Sequence, residues 1–361
     1  MAIYYLNKLS QVTQLSGEKL EKLVPVEEKF KFRANKYYLS LIDWDDPNDP
    51  IRKIVIPSCD ELESWGDIDA SKEFQYTKLR GIQHKYPDTA LLLVVNVCGT
   101  FCRFCFRKRL FYKESMETLS PDISDNLNYI REHCEITNVL LTGSDPLILA
   151  THKLGNIISE LRKIEHVKII RIGSKMPATN PYRILDDPTL PEMLRKYSLP
   201  EKKIYIITHF NHPRELTPAA IEALDILRNS GAILSNQTPL MRGINDNPDV
   251  LAKLLQKLSF IGNAPYYVFQ VRPTIGNKPF AMPIVETYEI FQKAIAQVSG
   301  LAKRVKLIMS HFTGKLEIMA IADDSIILRY HRAAERSNEG RIMVFEAKPD
   351  AYWLDDLGEE R

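Results

Sequence analysis

The chain has 361 residues, 45% hydrophobic and 26% charged, with 48 Lys and Arg against 46 Asp and Glu. It has room for one large domain or two ordinary ones, and its near-balanced charge gives no field suited to nucleic acid or an anionic membrane. No apolar run approaches the roughly 20 residues of a membrane span, the start MAIYYLNKLSQ lacks a secretory pattern, and five cysteines, mostly clustered, make no disulfide framework; a cytoplasmic protein is expected.

Residues 1–88 read as a helical region joined by Pro/Asp-rich turns such as DWDDPNDP (43–50). From 89 to 285, short β-branched runs recur: ALLLVVNV (90–97), VLLT (139–142), VKIIRIG (167–173), KKIYIITHF (202–210), AILSNQ (232–237) and YYVFQVR (266–272). Stretches of helical spacing separate them, among them DNLNYIREHCE, KLGNIISELRKIE, AAIEALDILRNSG and DVLAKLLQKLSFIG. This α/β alternation predicts parallel βα units. Six are too few for a closed eight-stranded barrel and suit a partial, open (βα)6 barrel of TIM-like type. Residues 286–361 add one helix and a strand-rich α+β segment of weaker pattern, a capping segment.

Reactive side chains in such sheets gather where strands end. Cys98, the Gly143-Ser144-Asp145 turn, Ser174, His209, Gln237 and Arg272 stand at or near six successive predicted strand ends. Packing alone does not account for that row of polar and ligand-type residues; they are expected to face one mouth.

Residues 98–105, CGTFCRFC, place three cysteines in eight positions. Structural zinc asks for four closed ligands, and the nearest histidine, His84, lies before the strand rather than after it. A disulfide is disfavoured in a reducing compartment. A 4Fe-4S cluster held by three thiolates leaves one iron open to an outside ligand. Core or zinc cysteines remain the plainer alternative. Cys59 and Cys134 read as buried or incidental thiols, and Lys108 and Arg109 of the FRKR run as solvated cations.

The spacing C-x3-C-x2-C after a first strand, with Phe104 before the last cysteine, is similar to the signature of radical S-adenosylmethionine (SAM) enzymes. That resemblance implies SAM on the open iron, with Phe104, Gly143, Ser144, Asp145, Ser174, His209 and Gln237 around it; small residues let backbone approach a ligand closely. Over nearly its whole length the chain resembles the lysine 2,3-aminomutase family. The stretches that carry the likeness are ANKYYLSLIDWDDPNDPIRK (34–53), HKYPDTALLL (84–93), LLTGSDPL, IIRIGSKMPATNPYRI (169–184), THFNHPREL (208–216), SNQTPLMRGIND (235–246) and APYYVFQVRPTIG (264–276).

The family implies pyridoxal 5′-phosphate (PLP) as a second cofactor and migration of an amino group between adjacent carbons of an amino acid. It implies Lys315 in SHFTGKLEI as the PLP lysine, although SHFT stands where the family keeps a glycine run. Lys85 and Tyr86 fall at positions near PLP, and Thr89 replaces an arginine. Arg107 falls where an arginine holds the substrate α-carboxylate, a task suited to a forked guanidinium. Two aspartates take the distal ammonium in lysine-specific members; here those positions are Arg272, seven residues after Pro265, and Ile308, seven before Lys315. The pocket has changed sign, so a substrate with an anionic distal group, such as glutamate, is expected. No cysteine follows Cys134, so no structural zinc is expected. The resemblance also implies an electron donor such as flavodoxin or ferredoxin, and a homo-oligomer is compatible with it. Two competing readings are a radical SAM enzyme without PLP acting on another amino acid or a peptide, and a non-catalytic iron–sulfur electron carrier.

Overall fold

The computed structural model describes residues 4–110 and 122–361. Two short strands, β1 (Tyr5–Leu6) and β2 (Ala34–Asn35), pair near the N-terminus. All other strands join one twelve-stranded sheet: β3 (Thr77–Leu79), β4 (Ile82–Tyr86), β5 (Thr89–Val95), β6 (Asn138–Gly143), β7 (Ile169–Ser174), β8 (Ile204–Thr208), β9 (Ile233–Pro239), β10 (Ala264–Phe269), β11 (Lys306–His311), β12 (Gly314–Ala322), β13 (Ser325–Ala333) and β14 (Ile342–Glu346). Their order in the sheet is their order in the chain. Strands β5 to β11 run parallel, whereas β3, β4 and β12 to β14 are antiparallel to their neighbours. The six predicted strands are β5 to β10, and the parallel run forms a partial TIM-like barrel.

Period-two alternation sorts its two faces. Val139 and Leu141 of β6, Ile170 and Ile172 of β7, and Ile204 and Ile206 of β8 point outward into a core with the surrounding helices. Thr151–Arg162, Thr189–Tyr197 and Pro218–Asn229 supply Leu154, Ile158, Leu194, Leu224 and Leu227 to it. The intervening residues Leu140, Thr142, Arg171, Gly173 and Ile207 face inward and line a cavity. A second core packs Ile284–Ile295 against β10 to β14. No helix among the described residues is long and apolar enough to cross a membrane.

Three expectations need correction. The region before residue 89 is not only helical: β4 carries Lys85 and Tyr86 as an antiparallel neighbour of β5. IQHKY shows no alternation because Ile82, Gln83 and Tyr86 are all buried, on both faces of the sheet. Lys108 and Arg109 are buried rather than solvated, because acids from the N-terminal region fold over them. Of the two alternatives for Cys59 and Cys134, buried or incidental, the first is excluded, since both are exposed.

That N-terminal region pins the cysteine loop. Phe32, Tyr38, Ile51 and Ile54 pack above the barrel, and Phe104 joins the same cluster. Backbone bonds run from Phe101 N–H to Arg33 O (2.9 Å) and from Arg103 N–H to Ile54 O (2.8 Å). Glu61 accepts from Arg103 Nη2 at 2.8 Å and from Lys108 Nζ at 3.4 Å, all three side chains being almost completely buried. Removing one member of a buried ion cluster strands the others. Glu61→Ala is therefore expected to cost about 3–5 kcal/mol of stability, measured as a lowered thermal unfolding midpoint of the iron-free protein.

The barrel is open in its hydrogen-bonded ladder yet closed by side chains. Lys85 Nζ on β4 donates to His311 O on β11 at 2.7 Å, and Tyr76 OH donates to Phe312 O at 2.9 Å. Arg332 on β13 pairs with Asp88 in the turn before β5. These three bonds seal the seam between the first and last parts of the sheet and leave an enclosed chamber.

Candidate active site

One cavity, with a volume of about 330 Å3, is lined by every site residue expected from the sequence. It runs from the C-terminal ends of the parallel strands, where Cys98, Cys102 and Cys105 lie, to the strand starts around Thr89 and Lys315.

At the upper end the three free thiols stand together. Burial pushes all three up, Cys102 to about 12, and the neighbouring Cys105 thiol adds to the effect on Cys98 and Cys102. Lys175 acts in the opposite direction on Cys102. Three thiols with no fourth nearby make an incomplete ligand set for zinc and a complete one for a three-thiolate cluster.

The turn after β6 follows from one glycine. Gly143 has φ +106°, and a Cβ there would lie 2.2 Å from Val95 O, so only glycine brings β6 this close to β5. Ser144 N–H then donates to Val95 O at 2.7 Å. Asp145 is fully engaged. It accepts from Leu147 N–H (3.0 Å), Ser174 Oγ–H (2.7 Å), Lys175 N–H (2.8 Å) and Met176 N–H (3.0 Å). Its carboxylate thus ties the ends of β6 and β7 together, and Ser174 is committed to the same tie. His209 has a buried Nε2 with no partner among the described residues and an edge contact with Phe104, ring centroids 5.7 Å apart. Desolvation, aided by Lys175, holds its imidazole neutral, down to about 3. Gln237 reaches the same wall from within β9 rather than from its end.

Arg107 sits between the two ends. Its Nη1 donates to Thr142 Oγ1 at 2.7 Å, and Nε and Nη2 donate to Glu73 Oε1 at 3.2 and 3.1 Å. Glu73 also pairs with Arg109. Burial alone would raise the Glu73 carboxyl, but Arg107 and Arg109 hold it down to about 2.

The lower end is cationic. Lys85, Arg171, Arg272, Lys315 and Arg332 all line it. Desolvation, reinforced by Arg272, drives Lys85 down to about 7. Lys315 lies well below the usual lysine range, first from desolvation and then from Arg272, Lys85, Arg171 and Arg332. Its ammonium position is 5.6 Å from the Tyr86 ring centroid and 5.9 Å from that of Phe269. The buried Tyr86 hydroxyl has no partner among the described residues. Arg272 donates to Ser71 Oγ at 2.6 Å and stacks 4.0 Å from the Phe106 centroid. No carboxylate forms an ion pair with it among the described residues, and desolvation lowers it to about 10. Ile308 is fully buried, while Ser310, on the same face of β11, lines the cavity.

Sequence reasoning missed Glu73, Lys175, Arg171 and Arg332. Glu73 lies in the unpatterned segment SKEFQY. Lys175 stands inside a quoted motif, but only the fold shows Nζ donating to Asn211 Oδ1 (2.6 Å) and Glu215 Oε1 (2.5 Å). Arg171 is a charged residue in mid-strand, a pattern that flags an inward-facing polar position. Arg332 carried no sequence signal.

No family model matches the chain. Curated relatives do. A protein of Aquifex aeolicus, provisionally named an L-lysine 2,3-aminomutase, is 54% identical over 356 residues, covering 98% of this chain and 95% of its own. The L-lysine 2,3-aminomutase of Fusobacterium nucleatum is 38% identical over 348 residues, covering 95% of this chain and 80% of its own. The glutamate 2,3-aminomutase of Clostridioides difficile is 38% identical over 296 residues, covering 81% and 68%. With the three-thiol loop and partial barrel in place, these likenesses establish that the chain belongs to the lysine 2,3-aminomutase family of radical SAM enzymes and is an isomerase.

Proposed function

We propose that the chain is a PLP-dependent 2,3-aminomutase whose substrate is an α-amino acid with an anionic side chain, glutamate being the simplest case. One observation carries the reading: a single chamber holds three thiols without a fourth at one end, and at the other a half-buried lysine among cations of which only Arg332 has a carboxylate partner, Asp88, among the described residues. Buried charge without a counter-charge is costly, so this end is built for anionic ligands. When bound, the 4Fe-4S cluster with SAM supplies a hydrogen-abstracting radical, and PLP supplies a covalent carrier for the migrating nitrogen.

The residues fit those groups. Cys98, Cys102 and Cys105 hold the cluster, and the unpartnered His209 Nε2 and Gln237, with Phe104, flank SAM. The Gly143-Ser144 turn offers closely approaching backbone, while Asp145 and Ser174 act as positioning residues. Lys315 and Lys85, with the unsatisfied hydroxyl of Tyr86, meet PLP. Desolvation and the surrounding cations disfavour the charged form of the Lys315 amine, which favours the free-base form that acts as a nucleophile. Arg107 orients the substrate α-carboxylate, taking it on the edge that Glu73 holds while Arg109 keeps Glu73. Holding the reacting carbon in one place is worth a large part of such a barrier. Arg272 takes the distal carboxylate. A lysine ammonium there would be repelled by on the order of 4 kcal/mol at contact distance for an effective dielectric of about 20.

The experiment is a substrate panel. Reconstituted enzyme is incubated with lysine, glutamate, aspartate and alanine, and the β-isomers are quantified. Glutamate or aspartate is expected to outrun lysine by about a hundredfold or more. Arg272→Asp is expected to reverse that order. Preference of the parent enzyme for lysine would refute the acidic-substrate reading.

A further inference from the structure

Arg332 has no role in the chemistry described so far, yet its position is specific. In the antiparallel ladder of β12 and β13 it is the direct partner of Lys315, so the two side chains share one face of the sheet and both line the cavity. Its guanidinium lies 4.2 Å from the Tyr86 ring centroid, on the same ring that Lys315 approaches. All of its hydrogen bonds among the described residues run through Nη2, to Asp88 and, at 3.4 Å, to Thr89 Oγ1. Asp88 is more than half exposed and sits at the outer seam, so it fixes the guanidinium from outside. Nε and Nη1 have no acceptor among the described residues. Arg171 stands nearby on β7; its Nε donates to the neutral Asn138 Oδ1 at 2.9 Å, and no carboxylate pairs with it among the described residues.

We infer that Arg332 is the phosphate anchor of this chamber, taking the phosphate monoester of PLP on its free edge while Lys315 takes the aldehyde. The assignment rests on the PLP reading above. A phosphate monoester carries close to two negative charges and several acceptor oxygens at neutral pH, and a guanidinium fork is shaped to meet them with paired bonds. The geometry at residue 89 agrees: Thr89 adds a hydroxyl but no charge there, and Arg332 from a distant strand reaches within 3.4 Å of it. The cation is thus delivered across the seam of the barrel rather than from the strand that forms the floor.

The test uses full-length enzyme and two probes, PLP and pyridoxal, which differ only in the phosphate. Binding is followed by the visible absorbance of the cofactor and by borohydride trapping of the Lys315 peptide. Arg332→Gln is expected to raise the half-saturating PLP concentration by about tenfold or more and to leave that for pyridoxal within about twofold of the parent. Thr89→Arg in the Arg332→Gln background is expected to recover most of the loss. Arg332→Lys keeps the charge beside Asp88 and loses the fork; it is expected to weaken PLP by a few-fold and serves if the glutamine variant does not fold. Equal PLP binding by parent and variants overturns the inference and leaves the PLP reading standing, as does parallel weakening of PLP and pyridoxal. Failure of the parent enzyme to take up PLP removes the reading itself, and the inference with it.

Discussion

Replacing Cys98, Cys102 or Cys105 by alanine is expected to empty the enzyme of iron and to reduce reductive cleavage of SAM to background, on the order of a thousandfold or more below the parent. Each thiol is indispensable because the set has no spare: Cys59 and Cys134 are exposed and do not line the cavity. Anaerobic reconstitution followed by iron analysis and measurement of 5′-deoxyadenosine checks the expectation. Circular dichroism of the iron-free variants should be unchanged, since the loop is held by Glu61, Arg33 O and Ile54 O rather than by its thiols. A variant that keeps its iron and still cleaves SAM would refute the three-thiolate assignment. Parent protein with all four cluster corners protein-bound would do so too, and would favour an electron carrier over an enzyme.

Lys315→Ala is expected to lose amino migration by a comparable factor, on the order of a thousandfold, while iron content and SAM cleavage stay within a few-fold of the parent. The two ends of the chamber are built by different elements, the thiol end by β9 and the loops after β5 to β8 and Lys315 by β12, so the functions are separable. Desolvation and four surrounding cations hold the Lys315 amine well below the usual lysine range. Borohydride reduction of PLP-saturated parent enzyme should place the label on the peptide containing Lys315. Label on another lysine would refute the Lys315 assignment, and no label at all would favour the reading in which a radical SAM enzyme works without PLP.

Much of the barrel was legible because each strand announces itself locally. Runs such as VLLT and IYIIT are short, β-branched and flanked by helical spacing, and alternation needs no knowledge of partners. The cysteine loop was legible for a related reason: three ligands within eight residues are near in space however the chain folds. Glu73, Arg332 and the burial of Lys108 and Arg109 were not. Their meaning lies in partners far along the chain, as in the contact of Arg332 with Asp88 across 244 positions, and an isolated charged residue reads as solvent-facing by default. The strand β4 was hidden differently, since a segment covered on both faces shows no alternation to read.

The sequence by itself determined the βα rhythm, the three-thiol loop and the presence of a cation at Arg272, because each depends on residue type and short spacing. Only the tertiary structure decided that the open sheet closes into a chamber through Lys85, Tyr76 and Arg332, that Asp145 is a tie between strands, and that four cations gather around Lys315. Long-range pairing sets where a charge ends up, and the low dielectric of an enclosed site then sets what that charge can do.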